Sequence, residues 1–123
     1  MSRVVHFEIH AADPESAAKF YSSIFGWEIT KWEGPFDYWL VATGEGRGID
    51  GGIVARQGGT PGAAATVNAY VCTIDVPSLD DTYAAITAKG GTVAVEKQEI
   101  PGLGLLAYFK DPDGNIFGAL QPA

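Results

Sequence analysis

The stretch HFEIHAADPESAAKFYSSIFGW, residues 6–27, holds the two patterns that decide the fold. Its first five residues alternate between polar and apolar side chains. Because successive side chains of an extended chain point to opposite faces, His6, Glu8 and His10 share one face and Phe7 and Ile9 share the other. The start of the chain therefore predicts a strand with three potential metal or proton ligands on one side.

The rest of this stretch predicts an amphipathic helix with both ends marked. Asp13 is a suitable N-cap, and Pro14 suits the first helical position, where no backbone N–H is required. Apolar side chains recur at helical spacing, and Gly26 is suited to the left-handed residue that commonly ends a helix. We expect Phe7 and Ile9 of the strand to pack against Phe20 and Ile24 of this helix.

The same succession returns in the second half of the chain, in NAYVCTIDVPSLDDTYAAITAKGG, residues 68–91. A shift of 65 residues places Asp13 on Ser78 and Gly26 on Gly91. Three strand-like segments follow each helix: WEITKWE, DYWLVAT and GGIVAR in the first half, and TVAVEKQEI, LLAYFKD and NIFGALQ in the second. This is an internal repeat. By that repeat, Tyr70, Cys72 and Ile74 should pack against the second helix, with Cys72 as a buried structural thiol.

The repeat predicts an α+β fold made of two βαβββ modules in tandem. The length of 123 residues suits a single domain. We place the first module at residues 1–56, a linker rich in small residues at 57–66 and the second module at 67–123. Neither half is large enough to cover its own sheet, so the two halves should pair.

The composition excludes several classes of function. A net charge of −7 argues against nucleic acid or an anionic membrane as a partner. The first residues are too short and too polar for a secretion signal, and no apolar run approaches the ~20 residues of a membrane span. The single Cys72 fits a reducing compartment, so we expect a cytoplasmic protein.

The order of elements and two local motifs resemble the vicinal oxygen chelate superfamily, which includes glyoxalase I, bleomycin-resistance proteins and extradiol dioxygenases. The motifs are HFEI with DPESAAKFYSSIFGW near the start and YFKDPDGNIFGALQ at the end. The resemblance covers essentially the whole chain. It implies that each module forms a cupped mixed sheet with its helix on the convex side, around a pocket for a small molecule, often in a homodimer.

The resemblance also implies four positions for metal ligands, one on the first and one on the last strand of each module. The first falls on His6. The repeat carries its counterpart to Val71, and the remaining two fall on Gly52 and Gly118, where carboxylates would be expected. Since His6 is the only position with a donor, we predict no metal cofactor. A weak divalent site remains an alternative, because Glu8 can share an ion with His6 or with His10.

His6 and Glu8 are the candidate catalytic and ligand-binding residues. Histidine titrates near neutral pH, and a partly desolvated carboxyl group can be raised toward it. The alternative interpretation is a polar strand face without chemistry. His10 lies near the strand end and is expected at the rim or surface.

Five further residues are candidates for ligand binding. Tyr38 and Trp39 must face opposite ways, so one of them should line the pocket. The small residues Gly52 and Gly118 would leave space for a ligand. Arg56 shares the face of Gly52 and would pair with a ligand carboxylate, or it is an exposed residue at a strand end.

Two functions follow from these residues. The first is a glyoxalase- or bleomycin-resistance-like protein that binds a small molecule without a metal ion. The second is a glyoxalase-type lyase or isomerase, or a dioxygenase-like enzyme, that uses His6 and Glu8 with or without a divalent metal. A homodimer is expected in either case, since exposed sheet edges and aromatic strands need cover.

Overall fold

The structure is a computed structural model that describes residues 1–59, 61–62 and 67–123. It divides into two compact units: the first unit is His6–Tyr70, and the second unit combines Met1–Val5 with Val71–Ala123. The first five residues thus belong with the second half of the chain. Residues 60 and 63–66 of the predicted linker lie outside the described residues.

The described residues form two helices and eight strands, as the predicted α+β fold requires. The strands are β1 (Val4–Ala11), β2 (Glu28–Lys31), β3 (Trp39–Ala42), β4 (Gly51–Ala55), β5 (Val71–Asp75), β6 (Thr92–Ile100), β7 (Gly104–Lys110) and β8 (Ile116–Pro122), and the helices are α1 (Pro14–Phe25) and α2 (Leu79–Ala88). Within the described part of the chain, neither helix has the length and apolar character needed to cross a membrane.

The two units share one strand topology. In the first unit the order is β2-β3-β4-β1, with β1 parallel to β4 and the other neighbours antiparallel. In the second unit the order is β6-β7-β8-β5, with β5 parallel to β8 and the other neighbours antiparallel. Each unit therefore contains a βαβββ succession in which the first strand lies beside the last, and the predicted repeat is confirmed.

The helix ends lie where the sequence places them. The side chain of Asp13 accepts a hydrogen bond from the backbone N–H of Ser16, and Ser78 accepts one from that of Asp81, so both N-caps are confirmed. Gly26 ends α1 at φ 72°, in the left-handed region that glycine adopts without a steric penalty.

The core of the first unit lies between its sheet and α1. Four buried side chains form it, namely Phe7, Ile9, Val41 and Ile53. The helix contributes Ala17, Ala18 and Tyr21. The expected contacts with Phe20 and Ile24 are wrong, since these side chains are 56% and 55% exposed. Ala17, Ala18 and Tyr21 form the side of α1 that faces the sheet, whereas Phe20 and Ile24 point outward.

The second core lies between the second sheet and α2. It consists of the buried residues Leu79, Ala107, Phe109 and Ala119. The expectation for Tyr70 is wrong: its ring stacks on Phe7 of the first unit, with centroids 5.7 Å apart. Cys72 is half-buried rather than buried.

Candidate functional site

The face of the first sheet opposite α1 brings together most of the predicted site residues. Gly52 of β4 pairs with Glu8 of β1 on one side and with Leu40 of β3 on the other. Directly paired residues project to the same face, and His6 and His10 share it with Glu8 by strand alternation. We call this surface of the first unit the site face.

His6 and Tyr38 are joined on the site face although 32 residues separate them. The distance from His6 Nε2 to Tyr38 Oη is 2.8 Å, that of a hydrogen bond. Their rings are inclined by 17°, with centroids 6.5 Å apart. Because the two rings are nearly parallel and joined at their edges, they form one continuous aromatic and polar surface.

The ring of Tyr38 lies against Gly52. A Cβ added to Gly52 would collide with the hydroxyl oxygen and ring carbons of Tyr38. The space that the sequence assigned to a ligand is therefore filled by this tyrosine in the structure. Gly52 acts here as the position that lets the aromatic ring approach the strand backbone.

The environment of His6 favours its neutral form. Burial lowers the pKa of its imidazole below 6.5, and the negative charges of Glu8 and Asp50 oppose this shift. Asp50 is held in place by the backbone N–H of Thr43, at 2.9 Å from its Oδ1. At neutral pH the imidazole is thus uncharged, with one ring nitrogen able to accept a proton or a hydrogen bond.

Glu8 and His10 form the second polar pair of β1. His10 Nε2 is buried and lies 3.1 Å from Glu8 Oε1, an electrostatic contact rather than a well-directed hydrogen bond. The side chain of His10, expected at the rim or surface, is 26% exposed, with its Nε2 turned inward. Arg56 donates a hydrogen bond to the backbone carbonyl of His10, at 2.7 Å, and another to Asn68 Oδ1, at 3.3 Å. Its guanidinium group connects the end of β4 to β1 and to the segment before β5.

Tyr38 and Trp39 point to opposite sides of the first sheet, as strand alternation predicts. Trp39 packs against the core beside α1, and the Nζ of Lys31 lies 5.3 Å from the centre of its ring. Tyr38 lies on the site face with His6. Of these two candidates, Tyr38 is the one on the site face.

Gly118 of the second unit has an environment similar to that of Gly52. It pairs with Thr73 of β5 and with Tyr108 of β7. A Cβ added to Gly118 would lie 2.9 Å from Thr73 Oγ1 and 3.1 Å from the ring of Tyr108. A tyrosine thus lies close to the glycine of the last strand in both units.

The four positions implied for a metal ion do not fit one. Within residues 1–59, 61–62 and 67–123, no group of three or more His, Cys, Asp or Glu side chains is arranged to hold a metal ion. The equivalence of Gly52 and Gly118 follows from the strand register, because each pairs with the repeat-related residue Glu8 or Thr73. With tyrosine rings beside both glycines, aromatic groups stand where carboxylate ligands were expected.

Two residues of this region were not identified from the sequence as site candidates. Asp50 approaches His6 because the segment before β4 runs beside β1, a pairing that the sequence does not encode locally. Trp32 lies opposite Tyr38, since its backbone N–H donates to the Tyr38 carbonyl at 2.8 Å. The signal for this second pair was present: in a hairpin where Lys31 faces Trp39, the next pair is Trp32 and Tyr38.

Comparison with known proteins agrees with this fold. Residues 3–118 match the Glyoxalase/Bleomycin resistance protein/Dioxygenase superfamily. The chain belongs to this superfamily, and the predicted resemblance is confirmed.

Curated relatives carry names from the glyoxalase group. The chain is 30% identical over 118 residues to a Mycobacterium bovis protein named "Putative glyoxylase CFP32", covering 94% of the present chain but only 42% of that protein. The chain therefore spans less than half the length of this relative. It is 27% identical over 128 residues to the "Probable lactoylglutathione lyase" of Vibrio parahaemolyticus, covering 97% of the chain and 90% of the relative.

Solved structures of the same fold include an epimerase. Methylmalonyl-CoA epimerase from Mycobacterium tuberculosis matches with a TM-score of 0.69 at 15% identity, over 98% of the present chain and 87% of the epimerase. At this level of identity the likeness concerns the fold.

Proposed function

We propose that the chain binds a small organic molecule on the site face of the first unit without a metal ion. The observation that supports this most directly is the pair formed by His6 and Tyr38, in which the tyrosine hydroxyl engages the one histidine that matches a ligand position of the superfamily. The pair offers a ligand an aromatic surface edged with hydrogen-bonding groups. Such a combination is typical of small-molecule sites.

The chain contains two histidines, which makes the proposal directly testable by NMR. The imidazole signal of His6 is assigned with His6→Gln, and that of His10 with His10→Gln. Bleomycin and the hemithioacetal of methylglyoxal and glutathione serve as probes. We expect at least one probe to shift the His6 signal and to lose affinity in Tyr38→Ala; the absence of any shift at His6 with either probe would contradict the proposal.

Metal content provides the second test. Protein purified without an affinity tag and analysed by mass spectrometry should contain no stoichiometric divalent ion. An ion present at one per chain, and lost in His6→Ala, would show that the site works through a metal after all.

A glyoxalase-type lyase or isomerase is the second candidate, and the lowered pKa of His6 favours it. A neutral imidazole at pH 7 can act as a general base, and Glu8 stands on the same strand face. Turnover of the hemithioacetal in buffer treated with a chelator, abolished in His6→Gln and retained in His10→Gln, would establish this activity. No turnover would leave binding as the function.

A homodimer and a cytoplasmic location complete the proposal. Three large apolar side chains of α1 are more than half exposed, namely Phe20, Ile24 and Phe25. Such a surface is typical of protein contacts. Sedimentation equilibrium should therefore show a dimer, and a stable monomer at micromolar concentration would contradict it.

A further inference from the structure

Three aromatic side chains meet on the loop that joins β2 to β3. The loop is closed by the hydrogen bond from Trp32 N to Tyr38 O, which extends the β2–β3 pairing by one position. Trp32 and Tyr38 therefore face each other across the hairpin, on the side opposite Lys31 and Trp39. Phe36, two residues before Tyr38, supplies the third ring.

The three rings are close to mutually perpendicular. The planes of Trp32 and Phe36 meet at 66°, those of Trp32 and Tyr38 at 79°, and those of Phe36 and Tyr38 at 85°. The corresponding ring centroids are 5.0, 6.3 and 6.3 Å apart. We call this arrangement of Trp32, Phe36 and Tyr38 the aromatic corner.

Two rings of the aromatic corner rest on glycine. A Cβ on Gly34 would collide with the indole of Trp32, as a Cβ on Gly52 would with Tyr38. Each ring therefore has backbone against it, and a larger residue at either glycine would displace it. Tyr38 is further fixed by its hydrogen bond to His6. Phe36 remains 48% exposed, so the corner is open to solvent on its side.

The hairpin that carries the aromatic corner has more acidic than basic residues. Residues 28–39 contain three acidic side chains and one basic side chain, Lys31. Lys31 Nζ lies 3.3 Å from Asp37 Oδ1 and over the ring of Trp39, on the other face of the hairpin. Beyond the hairpin, the charges of Glu8 and Asp50 act on the neighbouring His6. This field favours a positively charged group over an anion.

We propose that the aromatic corner binds an organic cation, such as a quaternary or protonated amine attached to the ligand of the site face. The faces of aromatic rings attract a cation within about 6 Å of their centroids, and the spacing of these three rings allows one cation to approach all of them. The inference rests on the proposed small-molecule function and specifies the chemical class of its ligand.

The experiment compares choline with 3,3-dimethylbutan-1-ol, its uncharged analogue of the same shape. Binding is followed by the indole N–H signals of the three tryptophans, with Trp32 assigned through Trp32→Leu. We expect choline to shift the Trp32 signal at millimolar concentration and to bind at least several-fold more tightly than the alcohol. Both Trp32→Leu and Phe36→Leu should weaken choline binding about three- to tenfold. Because Trp32→Leu removes the reporting indole, binding to that variant is followed by the phenylalanine ring signals.

Phe20→Leu is the matched control, because it removes an exposed ring on α1 away from the hairpin. It should leave choline binding unchanged. Equal affinity for choline and the alcohol, no binding of either at tens of millimolar, or equal binding by Phe36→Leu and wild type would each overturn the inference. These outcomes are measured on the choline-dependent signals of the hairpin and bear on the cation site alone. Failure of the proposed function is measured separately, as the absence of a shift in the His6 signal with bleomycin and the hemithioacetal.

Discussion

Tyr38 lies against Gly52 so closely that no other residue at position 52 leaves the ring in place. The hydroxyl of the same tyrosine is 2.8 Å from His6 Nε2. The glycine, the ring and the imidazole therefore depend on one another, although β1, β4 and the hairpin loop supply them separately. The absence of a side chain at a superfamily ligand position is explained by the aromatic side chain that replaces it.

Gly52→Ala is expected to displace Tyr38 and to break its hydrogen bond with His6. Overpacking of this kind typically lowers the free energy of unfolding by about 1–3 kcal/mol. Urea denaturation measures this loss, and the His6 imidazole signal should move because its partner has gone. Gly59→Ala is the control, since a Cβ there meets nothing within 4 Å.

The double variant Gly52→Ala/Tyr38→Ala separates the steric cause from other effects. Removal of the ring relieves the collision, so Gly52→Ala should cost much less in the Tyr38→Ala background than in the wild type. An equal loss in both backgrounds would show that the alanine acts on the strand itself and that the contact with Tyr38 is not the reason for the glycine.

Acid is expected to destabilise the fold through His6. Burial lowers the pKa of this imidazole in the folded state below its ordinary value of 6.5. As the pH falls below 6.5, the unfolded chain takes up a proton that the folded chain does not, so the free energy of unfolding decreases until the folded-state pKa is reached. Urea titrations between pH 7.5 and 5 should show this slope, and it should be smaller in His6→Gln.

Glutamine is the chosen replacement because its amide keeps a hydrogen-bonding group near Tyr38 without titrating in this range. His10→Gln controls for the removal of a histidine from the same strand. If His6→Gln and wild type lose stability in parallel as the pH falls, the carboxyl groups of the chain account for the acid sensitivity and His6 contributes nothing to it.

The two N-caps should contribute comparable amounts to stability. Asp13→Ala and Ser78→Ala each remove a side-chain acceptor from the first turn of a helix, at 3.3 and 3.1 Å respectively from the donor nitrogen. Each should lower the free energy of unfolding by about 1 kcal/mol. Asp13→Asn and Ser78→Thr keep an acceptor and should restore most of it; alanine variants as stable as wild type would show that water replaces the caps.

The fold was accessible from the sequence because its signals are local. Asp13, Ser78 and Gly26 mark helix ends by the chemistry of single side chains, and the repeat links the two halves at a fixed shift. The side of α1 that faces the sheet could not be predicted from the sequence in the same way. Phe20 and Ile24 fit a helical period, but Ala17, Ala18 and Tyr21 fit it as well and are the residues that contact the sheet. Hydrophobicity alone does not select between two adjacent apolar faces.

The candidate site was predictable where strand alternation determines it. Alternation separated Tyr38 from Trp39 and placed His6 and Glu8 together. It gave no information on contacts between distant segments, such as Asp50 beside His6 or the Tyr38 ring over Gly52. The first contact depends on the pairing of β4 with β1. The second depends on where the loop between β2 and β3 places Tyr38, and its nearest sequence signal is the small size of Gly52.

Tyr70 is expected to ionise only at strongly alkaline pH, because its hydroxyl forms a hydrogen bond with that of Tyr21. Tyr70 is 45% exposed as a whole, but desolvation of its hydroxyl and the 2.7 Å hydrogen bond to Tyr21 Oη raise its pKa to about 12. A spectrophotometric titration at 295 nm should therefore show Tyr70 titrating about two pH units above its ordinary value of 10. Tyr21→Phe removes the hydrogen bond and should lower this pKa, whereas Tyr83→Phe, in the second unit, should leave it unchanged. A titration of Tyr70 at its ordinary value in the wild type would show that this contact does not persist in solution.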